Sequence, residues 1–307
     1  MLDTRGVRCP FIFSLGLALL AAASPCSPQA SSTWPSAVAY AAQSAPQARI
    51  VVLDIATGHV LAASHLPEAA RTLAEPGSTL KPLVLYSLVA SGHWDPARRI
   101  ACTRNLRIAG HALNCSHPPA DPMDARQALT WSCNTYFATV AATLGPGELR
   151  HLLAPTGLLG QTALAPAEAT AVFHDPHTHD ETSMALLGVE GIRVTPLELA
   201  TAYRWLALQL GAHSDSPAAQ VVQAGLADSA SFGIASSASL GGVLVAGKTG
   251  TANQGPGTPS HGWFVGLVPA DKPRAVVVVY LPNGHGANAA QVAAAILSHS
   301  SLSHPLP

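Results

Sequence analysis

The sequence predicts an α/β chain of the α+β kind, with one antiparallel five-stranded sheet flanked by helices and built from both ends of the chain. Three observations lead there. A β-branched run, Arg49–Asp54, is followed by the turn Ala56-Thr57-Gly58-His59 and a second run, Val60–Ala63, which together read as a hairpin. Three strand-like runs stand in the last third, Val243–Thr251, His261–Leu267 and Pro273–Tyr280. Between them the chain reads as mostly helical with loops. No internal repeat is visible, so a single domain is expected over residues 48–300, with a short tail at 301–307.

The bulk numbers bound the function. A length of 307 residues allows one large domain or two small ones. The net charge of −1 leaves no basic field for nucleic acid, so no nucleic-acid partner is expected. Arg5 and Arg8 precede an apolar run, Phe11–Ala23, and small residues follow at Ala21-Ala22-Ala23-Ser24. That is the pattern of an export signal over residues 1–23, either cleaved or kept as a membrane anchor through residues 11–23. Export places the rest of the chain in the periplasm or on the outer face of the cytoplasmic membrane, where disulfides persist. Residues 24–47 are rich in Ala, Ser, Pro and Gln and read as a linker, in which Trp34 and Tyr40 are candidates to dock on the domain.

The nucleophile stretch comes next, Glu75-Pro76-Gly77-Ser78-Thr79-Leu80-Lys81-Pro82. Apolar residues at Leu80, Leu83, Val84 and Leu88 have helical spacing, and Gly92 reads as the stop. Ser78 therefore sits at a helix N-terminus with Lys81 one turn on, along the same face. The free N–H groups there suit a developing negative charge, and they disfavour an ammonium at Lys81, as does burial. A hydroxyl with a neutral amine in reach is an activated nucleophile. The chain has only three lysines, Lys81, Lys248 and Lys272, and otherwise uses arginine, which cannot give up its proton.

Residues 93–123 are irregular. Asp124 caps a helix through Ala128 and Leu129; Ser132-Cys133-Asn134 follows, then a second helix over Phe137–Leu144, stopped by Gly145. This all-helical region presents Ser132 and Asn134 at the joint. Of five cysteines, Cys9 and Cys26 fall in or beside the signal, and Cys102 and Cys115 bracket a loop, either bridged or as two buried thiols. Cys133 stands alone. The cysteine spacing fits no zinc motif. The stretch Phe173–Asp180 gathers His174, Asp175, His177, His179 and Asp180, but without helical spacing and beside Pro176, so it reads as a solvated loop rather than a metal site. No metal and no cofactor are expected. Thr195-Pro196-Leu197-Glu198 starts a further helix, and Ala287–Leu297 closes the chain with an alanine-rich one.

Ser78-x-x-Lys81, Ser132-x-Asn134 and Lys248-Thr249-Gly250 stand in this order on a helix start, an inter-helix joint and a strand. The chain thereby resembles the penicillin-binding protein transpeptidases of the β-lactamase-like superfamily. The resemblance extends to Arg49–Ala63, to Gly191–Ala200, to Lys248-Thr249-Gly250-Thr251-Ala252 and to His261–Gly266. It implies an acyl-serine mechanism on the D-Ala-D-Ala stem peptide of peptidoglycan, or on a β-lactam antibiotic. Ser78 would attack, Lys81 would take its proton, and Ser132 would relay a proton with Lys248 tuning it. Asn134 would bond the substrate amide or Lys81. Thr249 and Thr251 would hold the substrate carboxylate, with Gly250 on a strand that pairs with the substrate, and the N–H groups of Ser78 and Thr251 would form the oxyanion hole. In one departure from the family, no pedestal or glycosyltransferase domain is expected before the motifs, so a lone catalytic domain is expected, with a cell-wall protein as a candidate partner.

The alternatives differ in the fate of the acyl group. A DD-carboxypeptidase passes it to water, and sequence does not separate that from transpeptidation. A serine β-lactamase needs a deacylating base, yet no Glu-x-x-Leu-Asn loop lies between the second and third motifs, and class D enzymes usually carry an aliphatic residue where Asn134 stands. A sensing module that acylates without turnover is the non-enzymatic reading. Where this chain has Gly188-Val189-Glu190-Gly191 the family often has a Gly-Gln-Gly-like turn, a local departure.

Overall fold

A computed structural model describes residues 33–118, 121–253 and 257–300. The expected signal and tail lie outside the described residues, as does the first part of the expected linker. In chain order the elements are α1 (Trp34–Ser44), β1 (Arg49–Asp54), β2 (Val60–Ser64), α2 (Leu66–Ala69) and, after a 3-10 turn at Gly77–Leu80, α3 (Lys81–Ala90). The middle of the chain holds β3 (Arg107–Ile108), β4 (His111–Ala112), α4 (Ala125–Thr130), α5 (Asn134–Ala141), α6 (Glu148–Leu153), β5 (Val172–Phe173), α7 (His179–Leu186) and β6 (Ile192–Arg193). Then come α8 (Pro196–Ala212), α9 (Pro217–Ser231), β7 (Ala246–Asn253), β8 (Ser260–Val268), β9 (Ala275–Leu281) and α10 (Gly286–Ser298).

The five-stranded sheet has the order β2-β1-β9-β8-β7 and is antiparallel throughout. It is built from both ends of the chain, as the sequence predicts. Side chains alternate across a strand, so each strand feeds two cores. Ile50, Val52, Val277 and Val279 face one layer, with α1 and α10 over them. Val51, Leu53, Val276 and Val278 face the other, with α3, α8 and the remaining helices. Burial on both faces explains the unbroken run of valines in β9, where a one-sided sheet would alternate with polar residues.

Three expectations need correction. The linker expected over residues 24–47 contains α1, because Ala37, Val38 and Ala41 fall on one helical face and are buried against α10 and β2. Within it Tyr40 stacks on His299 with ring centroids 3.5 Å apart, and Trp34 packs against the same core. The helix expected from Phe137 to Leu144 starts earlier, at Asn134, and ends at Ala141. The strand expected from Val243 starts at Ala246, because Gly241-Gly242 turns the chain and leaves Leu244 in solvent. Helix α9, with Ser216 accepting from the Ala219 amide at its N-terminus, was not anticipated. Among the described residues no helix is long and apolar enough to cross a membrane.

The docking of α1 is testable. Ala41→Asp buries an unpaired carboxylate and is expected to lose roughly 3 kcal/mol in urea denaturation, whereas Ala39→Asp on the exposed side stays within about 0.5 kcal/mol of the parent. Equal behaviour of the two variants would mean that the segment does not pack.

Candidate active site

The 3-10 turn that carries Ser78 is clamped from three directions. The Gly77 amide donates to Gly188 O at 2.8 Å. The Glu75 carbonyl accepts from His261 Nε2 at 2.8 Å and from Trp263 Nε1 at 2.9 Å, both on β8. From α8 the buried Tyr203 hydroxyl donates to Thr79 O at 2.8 Å. Two glycines permit the close approach of this turn to β7. A Cβ on Gly77, whose φ is +55°, would stand 2.8 Å from the Thr251 amide nitrogen, and a Cβ on Gly250 would collide with the Pro76 carbonyl.

The joint between α4 and α5 supplies the second motif. Asp124 and Gln127 form a reciprocal cap on α4. Ser132 has a positive φ of 55°, an uncommon conformation for a residue with a Cβ, and it turns the chain towards the cleft. Asn134 opens α5 and donates from Nδ2 to Leu113 O at 3.0 Å, which directs Oδ1 at the Lys81 amine, 2.6 Å away.

Both lysines are fully buried, and neither meets a carboxylate among the described residues. The Lys81 amine donates to Asn134 Oδ1, to Ser132 O at 2.9 Å and towards Ser132 Oγ at 3.2 Å. The Lys248 amine lies 2.9 Å from Ser132 Oγ and 2.9 Å from Thr249 O. Burial disfavours an ammonium at Lys81 and brings its pKa down to about 7. Burial, with the Lys81 charge added, holds Lys248 well below its ordinary value. Near neutral pH the two amines therefore include a neutral one, able to accept a proton. The half-buried Ser78 hydroxyl has no hydrogen-bond partner among the described residues and faces the cleft described next.

A cleft of about 490 Å³ is lined by Ser78, Ser132, Asn134, Thr249, Gly250 and Thr251. Lys81 and Lys248 lie beneath its floor. A second hollow of about 570 Å³ continues from it past Thr251, Ala252 and Asn253 on the edge strand β7. All eight residues singled out in the sequence thus converge. Sequence reasoning missed the clamps Tyr203 and Trp263. It also missed Gly286 at the start of α10, whose amide donates to Thr251 Oγ1 at 2.9 Å. These partners have no local motif, and only the packing of α8, β8 and α10 brings them in. The His/Asp-rich stretch does not gather. It runs from the end of β5 into α7, with Thr178 capping α7 and Asp175 paired to Arg150 at 2.7 Å. Cys102 and Cys115 are thiols, not a bridge.

The comparisons bear on the fold and the family separately. The fold is that of the transpeptidase domain of Burkholderia pseudomallei penicillin-binding protein 3, with a TM-score of 0.73 and 22% identity over 86% of this chain and 90% of that one. The penicillin binding protein transpeptidase domain matches residues 48–299, and the chain belongs to that family. Among its relatives, peptidoglycan D,D-transpeptidase PbpA of Mycobacterium tuberculosis is 25% identical over 68% of this chain and 50% of its own length. Peptidoglycan D,D-transpeptidase MrdA of Acinetobacter baumannii is 25% identical over 73% of this chain and 42% of its own length. The chain therefore spans half or less of these relatives.

The contact between the Ser78 turn and β7 sets the shape of the cleft. Gly250→Ala is expected to cost about 1–3 kcal/mol in denaturant unfolding, because rigid backbone must move, while Gly160→Ala, which meets nothing within 4 Å, stays within about 0.5 kcal/mol.

Proposed function

We propose that the chain is an exported acyl-serine D,D-transpeptidase acting on D-Ala-D-Ala stem peptides of peptidoglycan, and that penicillin acylates the same serine. The observation that carries this reading is the Ser132 hydroxyl held between two buried lysine amines at the edge of the Ser78 cleft. Ser78 Oγ attacks the carbonyl of the D-Ala-D-Ala bond as the neutral Lys81 amine accepts its proton. The amides of Ser78 and Thr251 face the oxyanion, a stabilisation that commonly contributes about 3 kcal/mol. The proton passes through Ser132 Oγ to the departing amine, and D-Ala leaves while the acyl group stays on Ser78. Lys248 keeps the Ser132 hydroxyl oriented. An acceptor amine then attacks the ester by the reverse route, which yields the cross-linked amide and restores the serine. Asn134 holds Lys81 in place, and Thr249 and Thr251 receive the terminal carboxylate of the substrate. The exposed edge of β7 offers main-chain groups to an extended peptide. A carboxypeptidase differs only in using water as acceptor.

Incubation with a fluorescent penicillin tests the reading. A stable adduct is expected on the parent protein and none on Ser78→Ala; labelling that survives Ser78→Ala, or fails on both, would sink it. A D-Ala-D-Ala peptide given with and without an amine acceptor then separates amide product from hydrolysis. Lys81→Ala is expected to slow acylation by roughly 10²–10⁴-fold, the range for loss of a general base.

The pH profile follows from the lowered pKa of Lys81. Its protonated form has no lone pair, so the acylation rate should rise about tenfold per pH unit below about 7 and level off above it. A rate that is flat from pH 5 to 8, or that falls through this range, would exclude Lys81 as the base.

A further inference from the structure

Behind the Ser132–Asn134 turn lies a cluster that this chemistry does not use. Cys102 comes from the loop after α3, Cys115 and His117 from the segment after β4, and Cys133 from the joint between α4 and α5. Their ligand atoms all lie within 4.8 Å of one another. Cys115, His117 and Cys133 are buried, and Cys102 is half-buried. The sulfurs are free thiols, and Cys115 Sγ and Cys133 Sγ are 3.9 Å apart. That is about twice a disulfide bond length. It is close to the edge of a tetrahedron with metal–sulfur bonds of about 2.3 Å.

His117 points to what the cluster takes. Its Nδ1 lies 2.7 Å from the Pro118 carbonyl, which can only accept, so the ring N–H is on Nδ1 and the lone pair is on Nε2. Nε2 is buried and has no hydrogen-bond partner. A histidine that donates one ring N–H to a backbone carbonyl while presenting the other nitrogen bare is arranged as a metal ligand. The surroundings agree. The Arg104 amide donates to Cys102 Sγ at 3.3 Å and the Asn134 amide to Cys115 Sγ at 3.2 Å, so two of the sulfurs are fixed in place by backbone donors. Arg104 also donates from Nη1 to the His117 carbonyl at 2.7 Å and holds that segment in place.

The geometry points to a structural zinc site in which Cys102, Cys115 and Cys133 thiolates and His117 Nε2 are the four ligands of one tetrahedral Zn²⁺. Three thiolates and an imidazole match the softness of zinc, and a set of four leaves no open position for catalysis. On binding, three S–H protons pass to solvent as three Zn–S bonds and one Zn–N bond form, with no change of oxidation state. The spacing hides the site in the sequence because its ligands come from loops that meet only after α4 and α5 pack. Its consequence is positional. Cys133 stands between Ser132 and Asn134, so the ion pins the positive-φ turn that presents both to Lys81. Only that last consequence rests on the transpeptidase reading.

The experiment uses the full chain purified without chelators. About one zinc per chain is expected by inductively coupled plasma mass spectrometry, with three thiols shielded from a thiol reagent until a chelator is added. Chelator-stripped protein titrated with Co²⁺ should show the thiolate-to-cobalt charge-transfer band and the visible bands of a tetrahedral site. His117→Ala should weaken zinc binding at least tenfold while keeping the thiols; if it fails to fold, stripping and reloading the parent chain carries the test. Penicillin labelling should fall on stripping and return with zinc. Labelling absent from both forms would overturn the reaction while the zinc stoichiometry stands. The site is overturned if neither zinc nor the cobalt band is found, or if mass spectrometry finds a disulfide between any two of the three cysteines.

Discussion

The Ser132 hydroxyl lies 3.2 Å from one buried lysine amine and 2.9 Å from another, and among the described residues no carboxylate balances either. Two ammonium ions confined this way repel each other and lack hydration, so the pair relaxes by giving up a proton. Three segments of the domain meet to form that arrangement. The 3-10 turn brings Lys81 in from below, β7 brings Lys248 from the side, and the α4–α5 joint lowers Ser132 between them. None of the three segments holds the pair alone. Their agreement depends on a sheet whose edge strand can lie against the Ser78 turn because residues 77 and 250 are glycines.

The sheet was legible because its signals are local. Arg49–Asp54 and the valines of β9 carry β-branched residues in runs bounded by turns, and burial on both faces is written into the absence of polar alternation. The three motifs were legible for a similar reason, since each fits inside four residues. What escaped was set by distance in the chain. Helix α1 hid in a composition typical of linkers, and only the packing of Ala37, Val38 and Ala41 on α10 and β2 gives it a reason to form. The start of α5 at Asn134 depends on the αL conformation of Ser132, which no propensity favours. Tyr203, Trp263 and Gly286 act through partners more than thirty residues away, so no window of sequence reveals them.

The cysteines show the same division from the other side. Read by spacing, Cys102 and Cys115 suggest a bridge around a loop and Cys133 an isolated thiol. In the fold the three sulfurs and His117 turn inward to one point. Cys133, the residue between Ser132 and Asn134, thus belongs to a different cluster from its neighbours. One short turn answers to two sets of constraints, one on the cleft side and one behind it.

The pairing of β1 with β9 sets the order in which the domain can be completed. Val51 lies opposite Val278, and β1 has no other central partner. A chain that emerges from its amino end must keep its opening hairpin waiting until nearly the whole length is available. Loop-closure entropy of that span falls due before the middle of the sheet returns any stabilisation. Such long-range topologies fold slowly. Until then the valine-rich strands stand open on both faces and invite association with other chains.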